Sequence, residues 1–203
     1  MSALPTGTVT FLFTDIEGST QLWEKHPEAM KAALAKHDSI LKEAVESHHG
    51  QIFKTTGDGI HAVFMTAIDA IHAAATSQHN LQSQISNLPL KSRMGLHTGE
   101  AELRDGDYFG QTLNRAARIM SVGHGGQILI SDIVAQVANE HLSADVSFLD
   151  LGEHYLKGVV QTEKIHQVVA RDLQKDFPPL NSIPTATSNL PQQLTSFIGR
   201  ERE

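Results

Sequence analysis

The chain has 203 residues, 40% of them hydrophobic, with no cysteine and with 16 basic against 23 acidic residues, a formal net charge of −7. That length supports one well-buried core and a short appendage, and the lack of cysteine excludes disulfide frameworks, thiolate zinc sites and cysteine nucleophiles. The acidic balance argues against a broad nucleic-acid footprint, so no direct nucleic-acid contact by this domain is expected.

The start, "MSALPTGTVTFLF", lacks the basic opening and cleavage site of a secretion signal, and no apolar run reaches membrane-spanning length. A soluble, cytoplasmic protein without membrane contact is expected. Residues 8–15, "TVTFLFTD", are β-branched and aromatic with no breaker and read as a buried strand. From Pro27 to His48 the positions Met30, Leu34, His37, Leu41, Ala44 and Val45 recur at three and four, which predicts an amphipathic helix that Gly50 can end. "QIFKTTGDGIHAVF" places two short strands, 51–55 and 60–65, around the glycine-containing turn "TGDG". Residues 67–84 are alanine-rich, with Ile68, Ile71, Ala75 and Leu81 on one side of a helix, and "KSRMGLHTGEAEL" reads as extended chain.

The order β-α-β-β-α-β is the ferredoxin-like arrangement, an α+β fold with helices packed on an antiparallel sheet. An additional αβ extension follows: a helix over 111–122, a strand over 127–131, a helix over 132–140, and short strands over 146–169 around "GEHYLKG". "GHGG" at 123–126 follows a helix and lacks a subsequent Lys-Ser/Thr, so it reads as a helix stop and not as a phosphate loop. After Arg171 four of the seven prolines gather among many Ser, Thr and Asn residues, marking 171–203 as a linker.

Asp15 ends the first strand and Asp58 occupies the hairpin turn. A hairpin strand commonly pairs beside the first strand of such a unit, which would bring both carboxylates to one sheet edge, an arrangement suited to Mg²⁺ held by carboxylates and substrate phosphates. Singly, Asp58 could be a turn former and Asp15 a helix cap, but glycines on both sides of Asp58 favour close approach to that backbone. The twelve histidines are scattered, and the pair His48-His49 sits at a helix end, so no histidine metal site is expected. In "GDYFGQTLNRAAR", residues 106–118, Asn114 and Arg118 share one helix face while Arg115 points elsewhere. An amide beside a guanidinium fork suits charge developing on a phosphorus centre, although spacing alone also fits ordinary surface residues.

Taken together, "FTDIEGST", "KTTGDG", "DYFGQTLNRAAR" and "LKG" resemble, in order and spacing, the catalytic domain of the class III nucleotidyl cyclases over residues 7–169. The resemblance implies that Asp15 and Asp58, with the backbone carbonyl of Ile16, bind two Mg²⁺ or Mn²⁺ ions per active site. It implies base reading by Lys54 and Asp107, ribose orientation by Asn114, transition-state stabilisation by Arg118, and a hold on the terminal phosphates by Lys157. Glu17 has no place in that metal pair, and Gly18 to Thr20 let a helix start near the triphosphate. Lys54 can donate to the purine N1 and Asp107 can accept from the N6 amino group; guanine reverses that pattern, so ATP is expected over GTP.

The expected activity is an adenylate cyclase forming cyclic AMP and pyrophosphate, with sites shared across a homodimer because the chain carries both half-sets of residues. A guanylate cyclase and a catalytically weak ATP-sensing module are the competing readings. Two departures from the family stand out: the arm between "GLHTGE" and "DYFG" is only "AELRDG", and Glu100 stands where some relatives carry arginine. Residues 1–170 are thus expected to form the cyclase domain. The last stretch, "NLPQQLTSFIGRERE", resembles the segment that opens the ATPase module of bacterial signal-transduction regulators, so downstream ATPase and regulatory domains are expected in a longer protein.

Overall fold

In the computed structural model, which describes residues 3–85, 88, 90–139 and 142–184, strand β1 (Thr8–Ile16) is buried on both of its faces. Leu12 and Ile16 join a core built with helices α2 (Pro27–Ser47) and α3 (Ala67–Gln84), whereas Val9, Phe11 and Phe13 pack with Ala116 of α4 (Gln111–Val122) on the opposite side. Cover on both faces explains why Phe11, Leu12 and Phe13 follow one another without polar alternation and why Thr10 and Thr14 are buried with them.

A short helix α1 (Ser19–Lys25) starts after Gly18, whose φ of 70° suits a residue without a side chain. In α2, Pro27 occupies the first turn, where its missing N–H costs nothing, and Met30, Ala33, His37, Ile40, Leu41, Ala44 and Val45 form the buried stripe. Strands β2 (Gln51–Thr56) and β3 (Gly59–Phe64) make the expected hairpin, and β3 pairs antiparallel with β1, setting Phe13 opposite His61. After α3, β4 (Ser92–Glu100) pairs on the other side of β1 and sets Asp15 opposite Arg93. The resulting order β4-β1-β3-β2 is the ferredoxin-like unit expected from the sequence.

The extension enlarges this unit to an eight-stranded sheet. A separate ribbon, β5 (Glu102–Arg104) with β6 (Asp107–Phe109), turns through Asp105 and Gly106, both at positive φ, and leads into α4. Strand β7 (Ile128–Ser131) runs parallel to β4, α5 (Asp132–Ala138) follows, and β8 (Val146–Tyr155) and β9 (Glu163–Ala170) form a long antiparallel pair. Shorter strands were expected there. The sequence breaks at Gly152, but a register shift between Asp150 and Gly152 absorbs that glycine, at φ 88°, and the strand continues past it.

Beyond β9 the chain stays on the domain. The side chain of Gln167 donates to the Lys175 carbonyl at 2.8 Å, His124 Nε2 donates to the Pro179 carbonyl at 3.0 Å, and the Asn181 N–H donates to the Val122 carbonyl at 2.9 Å. Ser182 and His154 then bond at 2.7 Å, and the two-residue strand β10 (Ile183–Pro184) pairs with β8. Residues 185–203, including "NLPQQLTSFIGRERE", lie outside the described residues. Among the described residues no helix is long and apolar enough to cross a membrane.

Candidate active site

The site begins at the end of β1. A side-chain carbon on Gly59 would lie 2.0 Å from the Thr14 carbonyl oxygen and 3.4 Å from the Asp15 Cα, so glycine lets β3 start hard against β1. The Thr14 hydroxyl accepts from the Ile60 N–H at 3.0 Å and fixes that approach. Asp58, immediately before Gly59, is thereby delivered to the end of β1 that carries Asp15. We expect Gly59→Ala to lower stability by about 1–3 kcal/mol, the usual cost of overpacking, read as a fall in thermal midpoint; an unchanged midpoint would show that β1 and β3 separate freely.

Oδ2 of Asp58 is buried and has no hydrogen-bond partner, an arrangement that is costly unless a donor or cation meets it. Asp15 is half-buried, and its Oδ2 accepts from Arg93 Nε at 2.7 Å and Nη2 at 2.5 Å. Ile16, the last residue of β1, is buried and paired with Ser92. Two carboxylates and a strand-end carbonyl are hard oxygen donors of the kind Mg²⁺ and Mn²⁺ take. Among the described residues no group of three or more His, Cys, Asp or Glu side chains is placed to hold a metal ion, so a cation at this pair would complete its shell with substrate phosphates or water. Glu17 is exposed and turns away, toward His124 at 3.9 Å.

A second group lies where β2 meets the β5–β6 ribbon. Lys54 Nζ donates to Asp107 Oδ2 at 2.5 Å, and the Tyr108 N–H donates to Asp107 Oδ1 at 2.9 Å. The Lys54 hydrogen bond, aided by that backbone N–H, holds the Asp107 carboxyl below its ordinary range. Aromatic rings back this pair. His61 stacks flat on Phe13 with centroids 3.7 Å apart, and Phe11, Phe53 and Tyr108 meet edge to face. Burial, then the Lys54 charge, lowers the affinity of the His61 imidazole for a proton.

The third group stands on α4. Asn114 and Arg118 are exposed on one face, while Thr112, Ala116, Ile119 and Val122 are buried. The helix seats this deeply because β4 has glycine at position 95, where a side-chain carbon would come within 2.3 Å of the Met120 nitrogen. Arg118 Nη2 approaches the turn at Gly158, next to the exposed Lys157: it lies 4.0 Å from where a side-chain carbon on that glycine would sit. Arg115 leaves in another direction, as expected, and pairs with Glu163 at 3.4 Å. Glu100 is exposed, and its backbone carbonyl accepts from the Thr112 hydroxyl at the start of α4.

Lys54 and Asp107 are joined directly, Gly59, the residue after Asp58, is set against the end of β1 that carries Asp15, and Arg118 approaches Gly158, the residue after Lys157. Among the described residues no hydrogen bond or ion pair joins one of these pairs to another. Sequence reasoning missed Arg93 as the direct partner of Asp15. The available signal was charge complementarity between β1 and β4, which becomes legible only once their register is known.

Residues 1–170 match the family described as the adenylate and guanylate cyclase catalytic domain. The chain is 40% identical over 201 residues to the uncharacterized protein Rv0891c of Mycobacterium tuberculosis, covering 98% of this chain and 69% of that relative. It is 33% identical over 190 residues to the adenylate cyclase of Podospora anserina, covering 78% of this chain and 9% of that protein. The crystal structure of an adenylate/guanylate cyclase/hydrolase from Silicibacter pomeroyi superposes with a TM-score of 0.71 at 30% identity, covering 81% of this chain and 97% of that one.

Proposed function

Since the chain belongs to the adenylate and guanylate cyclase catalytic-domain family, we propose that it is an adenylate cyclase, converting ATP to 3′,5′-cyclic AMP and pyrophosphate in sites shared across a homodimer. The observation that carries the choice of base is the Lys54–Asp107 pair at 2.5 Å. An ammonium donor beside a carboxylate acceptor complements the N1 and N6 edge of adenine, whereas guanine presents a protonated N1 and a C6 carbonyl. A mismatch leaves a polar group unpaired, which is why such a pair discriminates strongly. Likeness to an adenylate cyclase supports the same choice.

Asp15, Asp58 and the Ile16 carbonyl would hold two Mg²⁺ or Mn²⁺ ions, which supply activation of the ribose 3′-hydroxyl and neutralisation of phosphate oxygens. Asn114 orients the ribose through its amide. Arg118 presents a fixed fork of donors to the charge that builds on the α-phosphate as the 3′-oxygen attacks in line. Lys157, next in the chain to the Gly158 that Arg118 approaches, holds the departing pyrophosphate as a compact point charge. A two-fold dimer places the carboxylate pair of one protomer against the base, ribose and phosphate residues of the other, giving two equivalent sites. The same reading makes the domain cytoplasmic, where ATP is held, and the head of a longer regulator whose ATPase segment opens near residue 189.

Purified protein incubated with ATP or GTP and either metal tests this directly. Cyclic AMP should dominate, and Lys54→Glu should reduce the ATP-over-GTP ratio of kcat/KM by at least about tenfold. Cyclic GMP as the main product, or selectivity unchanged by Lys54→Glu, would overturn the base assignment.

A further inference from the structure

Arg93 stands directly across the β1–β4 ladder from Asp15. Its Nε and Nη2 both donate to Asp15 Oδ2, at 2.7 and 2.5 Å, while Nη1 reaches the Ser121 carbonyl at 3.3 Å. One planar guanidinium therefore spans a carboxylate at the end of β1 and the last turn of α4, the helix of Asn114 and Arg118. Arg93 and Asp15 side chains are 27% and 28% exposed, so the contact is partly screened and can exchange. Asp15 Oδ2 already takes two charge-assisted hydrogen bonds. A divalent ion drawing on that oxygen meets a positive charge within bonding distance, and the two compete.

We propose that Arg93 is a positioning residue that shares Asp15 with the metal. Cation binding shifts the guanidinium off Oδ2, and the link to the Ser121 carbonyl transmits that shift to the C-terminal turn of α4. This rests on the reading of Asp15 as a metal ligand. In the shared-site dimer, α4 serves the partner's site, so Arg93 would couple metal occupancy at one site to arginine placement at the other.

A purely structural brace between β1 and β4 would weaken folding when removed but leave metal affinity alone. The discriminating measurement is Mn²⁺ binding to the full chain without nucleotide, followed by loss of the free ion's paramagnetic signal, together with hydrogen exchange at residues 118–123. Arg93→Gln should bind Mn²⁺ roughly tenfold more tightly, about the worth of one charge-assisted contact. Mn²⁺ should alter exchange in the last turn of α4 in the parent protein and not in this variant. Arg93→Lys, which keeps a cation but cannot span both acceptors, should bind a few-fold more tightly and also lose the α4 response.

Equal or weaker Mn²⁺ affinity in folded Arg93→Gln, with Asp15→Ala abolishing binding, sinks the role of Arg93 and leaves the metal reading intact. Should Arg93→Gln fail to fold, unchanged affinity and an intact α4 response in Arg93→Lys sink it equally. If Asp15→Ala binds Mn²⁺ as well as the parent, the metal reading fails and this inference falls with it.

Discussion

Asp58→Asn should lower cyclic AMP formation by at least about a hundredfold while leaving the protein as stable as the parent, or up to about 1 kcal/mol more stable. The two expectations come from one atom. Oδ2 of Asp58 is buried and unpartnered, held there by the tight Gly59 contact with β1. An anionic oxygen in that position costs folding free energy, and the cost is tolerable if the oxygen is there to bind a cation. Asparagine keeps the turn preference and size of the side chain but removes the charge. Asp15 should behave differently. Its carboxylate is satisfied by Arg93, so Asp15→Ala loses activity and also strands a guanidinium, lowering stability modestly. Cyclic AMP assays paired with thermal unfolding distinguish the two residues; an active Asp58→Asn enzyme would remove Asp58 from the metal pair.

Mixing two inactive variants should restore activity. Asp15→Ala disables the carboxylate half-site and Arg118→Ala the transition-state half-site, the latter costing about 10²–10³ in rate by the usual worth of a positioned donor. In a mixed dimer both lesions fall in one shared site and the other site is intact. With random pairing, half of the dimers are mixed and half of their sites work, so an equimolar mixture should recover about a quarter of parental activity. The effect is large because each parent protein alone is nearly silent. If native mass spectrometry shows mixed dimers and the mixture stays inactive, the two half-sets belong to one protomer and the shared-site arrangement is wrong.

How much of this was legible in the sequence depended on whether the signal was local. The buried strand at 8–15, the stripe of α2 and the hairpin around Asp58 follow from periodicity and turn residues close together in the chain, and the structure has all three. His37, read as a core position of α2, is fully buried; Nδ1 bonds to Asp38 at 3.0 Å, and burial lowers the proton affinity of the ring. Arg93 was invisible because its partner is 78 positions away and their meeting depends on the β1–β4 register. The β8 strand was read as fragments because a glycine inside a strand looks like an end until a bulge absorbs it. Within 171–203, read as a linker, residues 174–184 lie along the domain, which the sequence did not indicate. Proline and small polar residues encode an extended backbone, but nothing local says which surface it will lie along.

That docked segment also determines how the domain bears load. A pull on the chain from beyond residue 184 meets β10 at the edge of the sheet and peels its two residues from β8. The force then reaches the Ser182–His154 bond, the Asn181–Val122 bond and the Lys175 carbonyl in turn. Bonds arranged in series break singly at low force, whereas β1 is paired with β4 from Thr8 to Ile16 and with β3 from Thr10 to Phe13 and would have to shear many at once. Tension applied from the carboxyl-terminal side should therefore unzip residues 174–184 before it strains the strand that carries Asp15.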